Sequence, residues 1–406
     1  MKIVLFEDNR YAQLRPLGLF RPLFDLYVGS WTLFRVMSLT GFPVRALIRD
    51  HFLMGDEERP RLKSPLGEPH IFVNASVEPD VGYAEILKDM AKSCDPFIMK
   101  SGDRISAALV SAGKEIPASA STDDIADVLG GLGLPDVSNR LITIDWPHEA
   151  VGAHSRLFAT NLEKRIAIGK FSEDHPGVFL GHGVSVHPST VFDTDSGPVV
   201  IGSGAVVEPF VYLQGPVNIG RNTRVLDHSA LRSMMSVERE CLVGGEMGSS
   251  EIEPCSSMTR STFGHSHIGR WVSIGAGTVM SDAKSTFGKV RIAHQGKRIA
   301  TDMENLGAVI GDFASLSINS AVFTGKTVGV CSSAYGMVAT NVASFTNYAQ
   351  SFGQVTEINP DQALVTQQRL FERYDKKQSK RDIGLIKRAF AVTHNDRKLR
   401  DKQITF

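Results

Sequence analysis

The loop that follows the first apolar segment, EDNRYAQLRPLGLFRP, carries arginines together with acidic residues. Arg15 and Arg21 could hold phosphate groups, because a guanidinium presents a fork of donors that matches phosphate oxygens. The alternative is that both arginines form surface ion pairs with Glu7 or Asp8. The loop therefore predicts either a phosphate site or a set of structural ion pairs.

Three side chains with oxygen atoms at or near strand ends could bind a divalent cation. Asp8 and Asp103 carry carboxylates, whereas Asn74 in the apolar run IFVNAS offers a neutral amide, which is a weaker Mg²⁺ ligand. Lys100, in FIMKSGD, could reach a sugar phosphate or could belong to an ordinary hairpin turn. These residues predict a cation and phosphate site in which the metal ligand is Asp8 or Asp103.

The segments around these residues alternate between strand and helix patterns. Short apolar or alternating runs are MKIVLF, VRALIRD, HIFVNAS, PFIMKS and RISAALVS, and the segments with helical spacing are SVEPDVGYAEILKDMAKS and STDDIADVLGGLG. Such alternation is typical of an α/β layer with a largely parallel sheet. We therefore predict an α/β domain over residues 1–150 and a linker helix over residues 151–176.

From about Gly177 onward, an aliphatic residue recurs at every sixth position, which is the period of neither a helix nor an ordinary strand. The eight consecutive members from Ile201 are Ile201, Val207, Leu213, Ile219, Val225, Leu231, Val237 and Val243. A short strand and a turn of about 120°, repeated, close a triangular coil in about eighteen residues and point one aliphatic side chain per side inward. Roughly eighteen such units predict about six coils and a prism about 29 Å tall.

Glycine follows the inward aliphatic residue in several units, as in Ile201-Gly202 and Ile219-Gly220. We interpret these glycines as the residues that adopt positive φ at the turns, which glycine does without steric cost. The repeat predicts a β-helix over residues 177–357. An insertion at 281–309, which contains FGKVRIAHQGKRIA, is too long for a turn and predicts a hairpin projecting from the prism.

The segment 358–406 has helical spacing and is basic, with eleven Lys or Arg against five Asp or Glu from Phe371 onward. We predict two helices there and interpret the charge as a solvated helix face. The whole chain of 406 residues has 44 Lys or Arg and 44 Asp or Glu, so its net charge gives no attraction to nucleic acid or to membranes.

Cysteine usage and hydropathy indicate the compartment. The four cysteines form no CxxC pair, which argues against structural zinc and against a disulfide framework and favours a reducing environment. We find neither the apolar core of a signal peptide nor an uncharged run long enough to span a bilayer. We expect a cytoplasmic protein with no nucleic-acid or membrane partner.

Three stretches together suggest a family, namely RPLFDLYVG near the N-terminus and VGGEMGSSEI and FGHSHIGRWVSIGAG in the repeat. Their combination resembles the GlmU-like bacterial sugar nucleotidyltransferases and hexapeptide-repeat acyltransferases, in an atypical branch with a short N-terminal domain. The resemblance implies a Rossmann-like nucleotidyltransferase domain, an all-β left-handed parallel β-helix and C-terminal helices. It also implies a homotrimer and a place in cell-envelope sugar-nucleotide biosynthesis.

The substrates that the resemblance implies are a nucleoside triphosphate and a sugar 1-phosphate, with Mg²⁺ as cofactor. The Arg-Pro element of this branch is matched by Arg21 and Pro22, with Asp25 following. The resemblance therefore makes Arg21, Arg15 and Asp25 the catalytic candidates. The candidates for binding nucleotide or sugar phosphate are Asp8, Asn74, Lys100 and Asp103.

Acyl transfer at the β-helix would require a general base and acetyl-CoA. The resemblance places the catalytic histidine at Thr259 and a phosphate-binding lysine at Ser249 or Ser250, and none of these residue types can serve. His265 and His267 lie nearby and could act as the base, since neighbouring coils bring residues about eighteen apart into contact. The alternative is that both are polar corner residues facing solvent.

Three functions remain open at this point. The leading one is a sugar-1-phosphate nucleotidyltransferase, of the UDP-N-acetylglucosamine or dTDP/UDP-hexose pyrophosphorylase type, whose β-helix serves trimerisation and substrate capture. The second is a hexapeptide acyltransferase that acts on an amino-sugar phosphate. The third is a non-catalytic sugar-nucleotide-binding regulator or scaffold, which Asn74, Thr259 and the lack of a glycine-rich loop favour.

Overall fold

The computed structural model describes residues 1–53, 64–117, 124–294 and 296–398. These residues form two compact units, of which the first is Met1–Pro147 and the second begins at His148. Residues 399–406 of the predicted C-terminal segment, the first residues of STDDIADVLGGLG and Gln295 of the predicted hairpin lie outside the described residues.

The first unit is built on a six-stranded mixed sheet with the order β2-β1-β3-β5-β4-β6. Its strands are β1 (Lys2–Phe6), β2 (Val44–Ala46), β3 (His70–Asn74), β4 (Phe97–Ser101), β5 (Arg104–Val110) and β6 (Asp136–Val137). The α-helices are α1 (Leu33–Ser38), α2 (Tyr83–Ser93) and α3 (Ile125–Gly130), and short 3₁₀ segments span Asn9–Leu14, Leu23–Asp25 and Asp50–Phe52. Residues 3–6 of β1 are fully buried, as expected of a parallel central strand.

The sheet brings the candidate polar residues of two strands to one edge. β1 pairs in parallel with both β2 and β3, and Phe6 at the end of β1 lies opposite Asn74 at the end of β3. Glu7 and Asp8 therefore emerge next to Asn74. In open α/β sheets the carboxyl ends of neighbouring parallel strands, where the chain turns to opposite sides, form the usual ligand crevice.

The second unit contains all but the first residue of the long helix α4 (Pro147–Ile168) and continues into a three-sided parallel β-helix. Face 1 consists of Val178–Leu180, Val199–Ile201, Val217–Ile219, Met235–Val237, Glu251–Ile252, His267–Ile268, Val309–Ile310 and Thr327–Val328. Face 2 consists of Ser185–Val186, Val206–Val207, Arg224–Val225, Leu242–Val243, Ser257–Met258, Ser273–Ile274, Ser315–Leu316, Ser333–Ala334 and Thr346–Ala349. Face 3 consists of Val191–Asp193, Tyr212–Gln214, Ala230–Leu231, Gly245–Gly248, Ser261–Gly264, Val279–Met280, Ala321–Val322 and Met337–Val338.

The faces are closed at their ends by antiparallel strands. Ser172–His175 pairs with Val178–Leu180 at the start of face 1, and Gln354–Glu357, preceded by the 3₁₀ segment Gln350–Phe352, pairs with Thr346–Ala349 at the end of face 2. Each of the three faces otherwise stacks its strands in parallel. The predicted fold class, an α/β domain joined to a parallel β-helix with C-terminal helices, is confirmed.

The interior of the β-helix is the predicted stack of aliphatic side chains. All eight residues from Ile201 to Val243 in the six-residue series are buried in one hydrophobic core. The prediction of six coils is too low, since face 1 and face 3 each stack eight parallel strands. The coils near residue 250 are shorter, with Met247 opposite Phe263 and therefore sixteen residues apart, so counting in sixes misses Met247, Ile252, Met258 and Phe263.

The glycines that follow the inward aliphatic residues have a different role from the one predicted. The residue with positive φ comes two positions later, as in Gly204 (φ 71°) after Gly202 and Asn222 (φ 55°) after Gly220. Gly202 is required instead by close packing of successive coils, because a Cβ atom there would lie 2.6 Å from the backbone nitrogen of Arg221. Residues other than glycine can therefore adopt the left-handed conformation at the corners. At Gly202, by contrast, the close approach of the next coil leaves no room for a side chain.

The insertion forms the predicted hairpin, with the antiparallel strands Arg291–His294 and Lys297–Ala300. It packs against the β-helix and does not project from it. Val290, Ile292 and Leu306 are buried, and a Cβ atom added to Gly325 would meet all three. The hairpin does not project because alternate residues at its first strand, Val290, Ile292 and His294, are buried, and the two apolar ones need a covering surface.

Up to residue 398, where the described chain ends, three helices follow the β-helix, namely α5 (Pro360–Glu372), α6 (Lys380–Val392) and the short α7 (His394–Lys398), where the sequence predicts two. Capping boxes begin α5 at Asn359 and α6 at Ser379. Phe371 of α5 stacks near Trp271 at a corner of the β-helix, with 4.7 Å between ring centroids. In the described part of the chain, no helix is both long enough and apolar enough to cross a membrane.

Candidate functional site

A densely hydrogen-bonded polar cluster in the first unit surrounds Asp8. Arg104 donates to both carboxylate oxygens, from Nε to Oδ2 and from Nη2 to Oδ1, at 2.6 Å each. Asn74 Nδ2 adds a third bond at 2.8 Å, and the backbone N–H of Arg10 a fourth at 3.0 Å. The carboxylate thus accepts four hydrogen bonds, which is about its full capacity.

The other members of this cluster are equally engaged. Asn74 donates also to the carbonyl of Ile105, and its Oδ1 accepts from both the N–H and the hydroxyl of Ser76. Arg104 bonds Asp145 at 2.6 Å in addition to Asp8. We refer to Asp8, Asn74 and Arg104 together as the closed cluster.

The protonation state of Asp8 follows from these contacts. Burial alone would raise the pKa of Asp8, but the hydrogen bonds and the charge of Arg104, with the hydrogen bond from Asn74, lower it below its ordinary value. The carboxylate is therefore ionised at neutral pH and is neutralised by a guanidinium.

The closed cluster does not fit a magnesium site. A cation at Asp8 or Asn74 would have to displace Arg104 or Ser76, because the oxygens of both side chains are already occupied. Asp103 is exposed and forms an ion pair with Arg10. Among residues 1–53, 64–117, 124–294 and 296–398, no three His, Cys, Asp or Glu side chains converge as a metal site.

A second buried ion pair shapes the loop that carries the candidate arginines. Glu7 accepts from Arg49 at 2.7 Å and 3.0 Å, and also from the backbone N–H of Leu23 at 2.9 Å. Arg49 in turn donates to the carbonyl of Gly18 and lies over the ring of Tyr11. Glu7 and Arg49 thereby fix the path of the loop between the two 3₁₀ segments.

The loop arginines differ in exposure. Arg21 is 4% exposed, whereas Arg15 and Asp25 are half-buried. In the described chain neither Glu7 nor Asp8 bonds to Arg15 or Arg21, so the alternative ion pairs considered from the sequence do not form. An apolar pocket beside the loop is lined by Leu14, Leu23, Leu26, Val28, Leu33, Ala75, Ser76, Val77, Pro79 and Ile144, which brings the loop next to the segment after Asn74.

Lys100 and Asp103 lie at the surface around the turn between β4 and β5. Lys100 forms an ion pair with Asp136 at 2.8 Å. The hydrogen bond from Arg10 lowers the pKa of Asp103. Arg10 connects the turn to the closed cluster, since its side chain binds Asp103 and its backbone N–H binds Asp8.

On the β-helix, the structure joins one predicted histidine to a carboxylate that sequence reasoning missed. His265 Nδ1 lies 2.7 Å from Asp282 Oδ2, and the two side chains are 30% and 33% exposed. The hydrogen bond from His265 lowers the pKa of Asp282 against the opposing effect of burial. We call His265 and Asp282 the dyad; its signal in the sequence is a separation of seventeen residues, close to one coil.

The dyad has the geometry of a general base. An ionised Asp282 only accepts, so the Nδ1 of His265 carries the proton, and Nε2, which bonds to no described residue, presents a lone pair. A carboxylate that fixes the histidine tautomer in this way also stabilises the imidazolium formed when the histidine takes a proton. The dyad can therefore accept a proton from a bound hydroxyl or amine.

The other acyltransferase candidates do not bond to the dyad within the described residues. His267 is fully buried and contacts Glu253 at 3.1 Å. Ser250 is also buried, donates to the carbonyl of Gly248 and accepts from the N–H of Ser266. Thr259 is half-buried, and its backbone N–H bonds Ile274 on the next coil.

Comparison with known proteins connects the first unit to a family. Residues 3–165 match the family model described as sugar nucleotidyl transferase, which confirms the family resemblance and supports a transferase related to sugar nucleotides. No curated protein matches the chain.

Solved structures resemble the chain only weakly. A UDP-N-acetylglucosamine acyltransferase from Arabidopsis is 13% identical, with a TM-score of 0.27 over 56% of this chain and 89% of that chain. A mutant of AntD, an N-acyltransferase from Bacillus cereus in complex with dTDP and coenzyme A, is 13% identical with a TM-score of 0.23, over 58% of this chain and 100% of that chain. The fold described above rests on strand pairing and not on these likenesses.

Proposed function

We propose that the chain is a sugar-1-phosphate nucleotidyltransferase. The observation that carries this proposal is the match of residues 3–165 to sugar nucleotidyl transferases. It is supported by the sheet edge where the carboxyl ends of β1 and β3 meet, which is the usual place of a ligand crevice in α/β sheets, and by the loop with two arginines that follows β1. In the reaction, a phosphate oxygen of the sugar 1-phosphate attacks the α-phosphorus of a nucleoside triphosphate, and the bond to pyrophosphate breaks.

In this proposal the half-buried Arg15 contacts the triphosphate, and the buried Arg21 adds positive charge behind it, with Asp25 in the same loop. Positive charge at the transferring phosphoryl group is the main requirement of such a reaction. Asp8, Asn74 and Arg104 organise the floor of the crevice without touching a metal. Lys100 and Asp103 lie on its rim, where they would meet the sugar phosphate.

A pyrophosphate-release assay tests the proposal. UTP or dTTP is incubated with glucose 1-phosphate or N-acetylglucosamine 1-phosphate, and released pyrophosphate is measured. Arg15→Ala should lower the rate about 100-fold, whereas Arg45→Ala, at an exposed arginine of β2, should leave it unchanged. If no pair of substrates releases pyrophosphate, the proposal is wrong.

The dyad supports a second candidate function, acyl transfer to an amino-sugar phosphate. Nε2 of His265 would remove a proton from the attacking amine as its nitrogen bonds to the thioester carbon of acyl-CoA. The carbon–sulfur bond then breaks, and the leaving thiolate takes the proton back from His265. Asp282 holds the tautomer that this proton transfer needs.

Thiol release from acetyl-CoA in the presence of glucosamine 1-phosphate tests this second function. His265→Ala should lower the rate by about 10² to 10⁴-fold, which is the usual contribution of a general base. His187→Ala, at an exposed histidine of the first coil, is the matched control. Binding of substrates without turnover in either assay would instead support the regulator or scaffold.

We also propose a homotrimer assembled through the β-helix. Face 3 supports it, because three successive outward positions, Val279, Ala321 and Met337, are apolar or small and exposed. Light scattering should give three times the mass of one chain. Met337→Asp should shift the mass toward the monomer, and a wild-type monomer at micromolar concentration would contradict the proposal.

A further inference from the structure

The hairpin is attached to the dyad at both of its ends. The chain leaves the β-helix directly after Asp282, and on its return the N–H of Leu306 donates to the carbonyl of Asp282 at 2.7 Å. The next N–H, of Gly307, donates to the carbonyl of His265 at 2.8 Å. The same backbone bonds therefore hold the dyad and the base of the hairpin.

The hairpin is strongly basic in a chain whose formal net charge is zero. Residues 283–306 contain five Lys or Arg, namely Lys284, Lys289, Arg291, Lys297 and Arg298, against two acidic residues. Lys289 pairs with Asp302 at 3.0 Å, and among the described residues no ion pair forms to the other four. Cations gathered in this way repel one another, so the pattern favours an anionic ligand.

Strand register places two of these arginines on one face. Ile292 lies opposite Ile299, so Arg291 and Arg298 share the other face with Ala293 and Ala300. All four residues of that face are exposed, whereas Ile292 is buried. The two alanines leave the space between the guanidinium groups open.

The spacing of the two arginines suits two linked phosphates. Diagonal neighbours on an antiparallel pair lie about 7–8 Å apart, which long side chains can bridge. A guanidinium binds a phosphate through two parallel hydrogen bonds. This register therefore allows each of the two arginines to bind one phosphate of a pyrophosphate group.

We propose that the outward face of the hairpin, formed by Arg291 and Arg298, binds the pyrophosphate group of the substrate that reacts at the dyad. The identity of that substrate rests on the second candidate function, acyl transfer. The proposal that this face binds a pyrophosphate group does not depend on that function. An acyl-CoA donor carries such a pyrophosphate group, and so does an amino sugar linked to a nucleoside diphosphate; an amino-sugar 1-phosphate acceptor carries none, so for that acceptor the site would bind the donor.

Calorimetric titration of the full chain with CoA and, separately, with UDP tests the site at low salt. Arg291→Glu with Arg298→Glu should weaken binding of at least one of these probes by about 30-fold or more, as expected for the loss of two charge-assisted contacts. Lys380→Glu with Arg381→Glu, at exposed positions of α6, changes the charge equally and should alter binding less than twofold. Thermal melts of the variants check that both remain folded.

Each outcome bears on the proposal. Loss of CoA binding alone assigns the face to the donor, and loss of UDP binding alone assigns it to the acceptor. Two results would overturn the proposal. In the first, the double variant Arg291→Glu, Arg298→Glu binds both probes as tightly as the wild type does. In the second, the wild type binds neither probe. His265→Ala should keep the affinity while losing acyl transfer. If the wild type binds the probes but transfers no acyl group, or if His265→Ala transfers as fast as the wild type, the dyad's role is refuted and the binding site is not.

Discussion

The closed cluster of the first unit and the dyad of the β-helix are built from the same kinds of residue but differ in what they can do. Asp8 and Arg104 are 6% and 2% exposed, and all acceptor positions of Asp8 are used. His265 and Asp282 are about one-third exposed, and among the described residues only the Nδ1 of His265 has a hydrogen-bond partner, so its Nε2 is left open. A charged pair whose hydrogen-bonding positions are all occupied can only stabilise the fold. A pair that keeps one nitrogen or oxygen atom free of protein partners can also react with a substrate.

The difference follows from where each architecture places polar groups. Asp8 lies at the end of a central strand, where every polar atom must find a partner inside the protein. The interior of the β-helix is filled by aliphatic side chains, so its polar groups must lie on the outer faces or at the corners. His265 stands at such a corner, with a φ of 44°.

The largest expected effect comes from breaking the closed cluster. Arg104→Met should lower the free energy of unfolding by about 3–5 kcal/mol, because it leaves the Asp8 carboxylate buried without its countercharge. Urea unfolding followed by circular dichroism measures this loss. Lys88→Met, which breaks an exposed pair on α2, is the control and should change little.

A double variant sharpens the same test. Asp8→Asn combined with Arg104→Met should lose less than the sum of the two single changes, because neither buried charge then remains. A loss below about 1 kcal/mol for Arg104→Met alone would mean that the cluster is open to water.

The two units should also respond to acid in different pH ranges. Burial and the nearby His294 lower the pKa of His148 from 6.5 to about 4. The unfolded chain therefore takes up this proton first, so the stabilisation is complete above about pH 6.5 and is lost as pH falls toward 4. The loss is on the order of 2–3 kcal/mol.

The contribution of Asp8 to stability is lost only at lower pH, because the pKa of Asp8 in the folded protein lies below its ordinary value of 3.8. Its contribution is present above that value and is lost as pH falls below it. Urea midpoints measured from pH 7 to 4.5 should therefore decline in the wild type and decline less in His148→Gln. If the urea midpoint falls equally with pH in the wild type and in His148→Gln, protonation of His148 does not destabilise the folded protein.

The sequence contains enough information for the architecture but not for the connectivity of its polar groups. The six-residue period of aliphatic residues from Ile201 predicts the stacked core, because one inward position per side is a purely local requirement. It fails where the coil shortens near Met247, since the period there is set by packing between coils.

The site can be predicted only in part, for a related reason. His265 stands out as a residue type that suits acid–base chemistry, but Asp282 escapes notice because its contact depends on the register of two coils. The sequence offers Asp8, with Asp103 as the alternative, as a metal ligand, and the structure surrounds Asp8 with Arg104, a residue 96 positions away that no local pattern indicates. Residue types can be predicted from sequence, whereas the availability of their atoms depends on distant partners.

A smaller effect is expected at the dyad itself. Asp282→Asn should lower the free energy of unfolding by only about 0.5 kcal/mol, because water screens a pair that is one-third exposed. Its electrostatic effect should be clearer than its stability effect. In His265→Ala the pKa of Asp282, followed by NMR, should rise relative to the wild type, since the hydrogen bond that lowers it is removed.

The smallest effect on stability is expected at Asp103. A variant there distinguishes a carboxylate that contacts the substrate from one that only forms a surface ion pair with Arg10. Asp103→Asn removes a fully exposed carboxylate, so the urea midpoint should not change measurably. The backbone bond from Arg10 to Asp8 does not depend on this carboxylate, so the closed cluster should stay intact. If the pyrophosphate-release rate falls while the midpoint is constant, Asp103 acts on substrate; if neither changes, its ion pair with Arg10 is only a surface contact, and the rim of the crevice must be sought at Lys100.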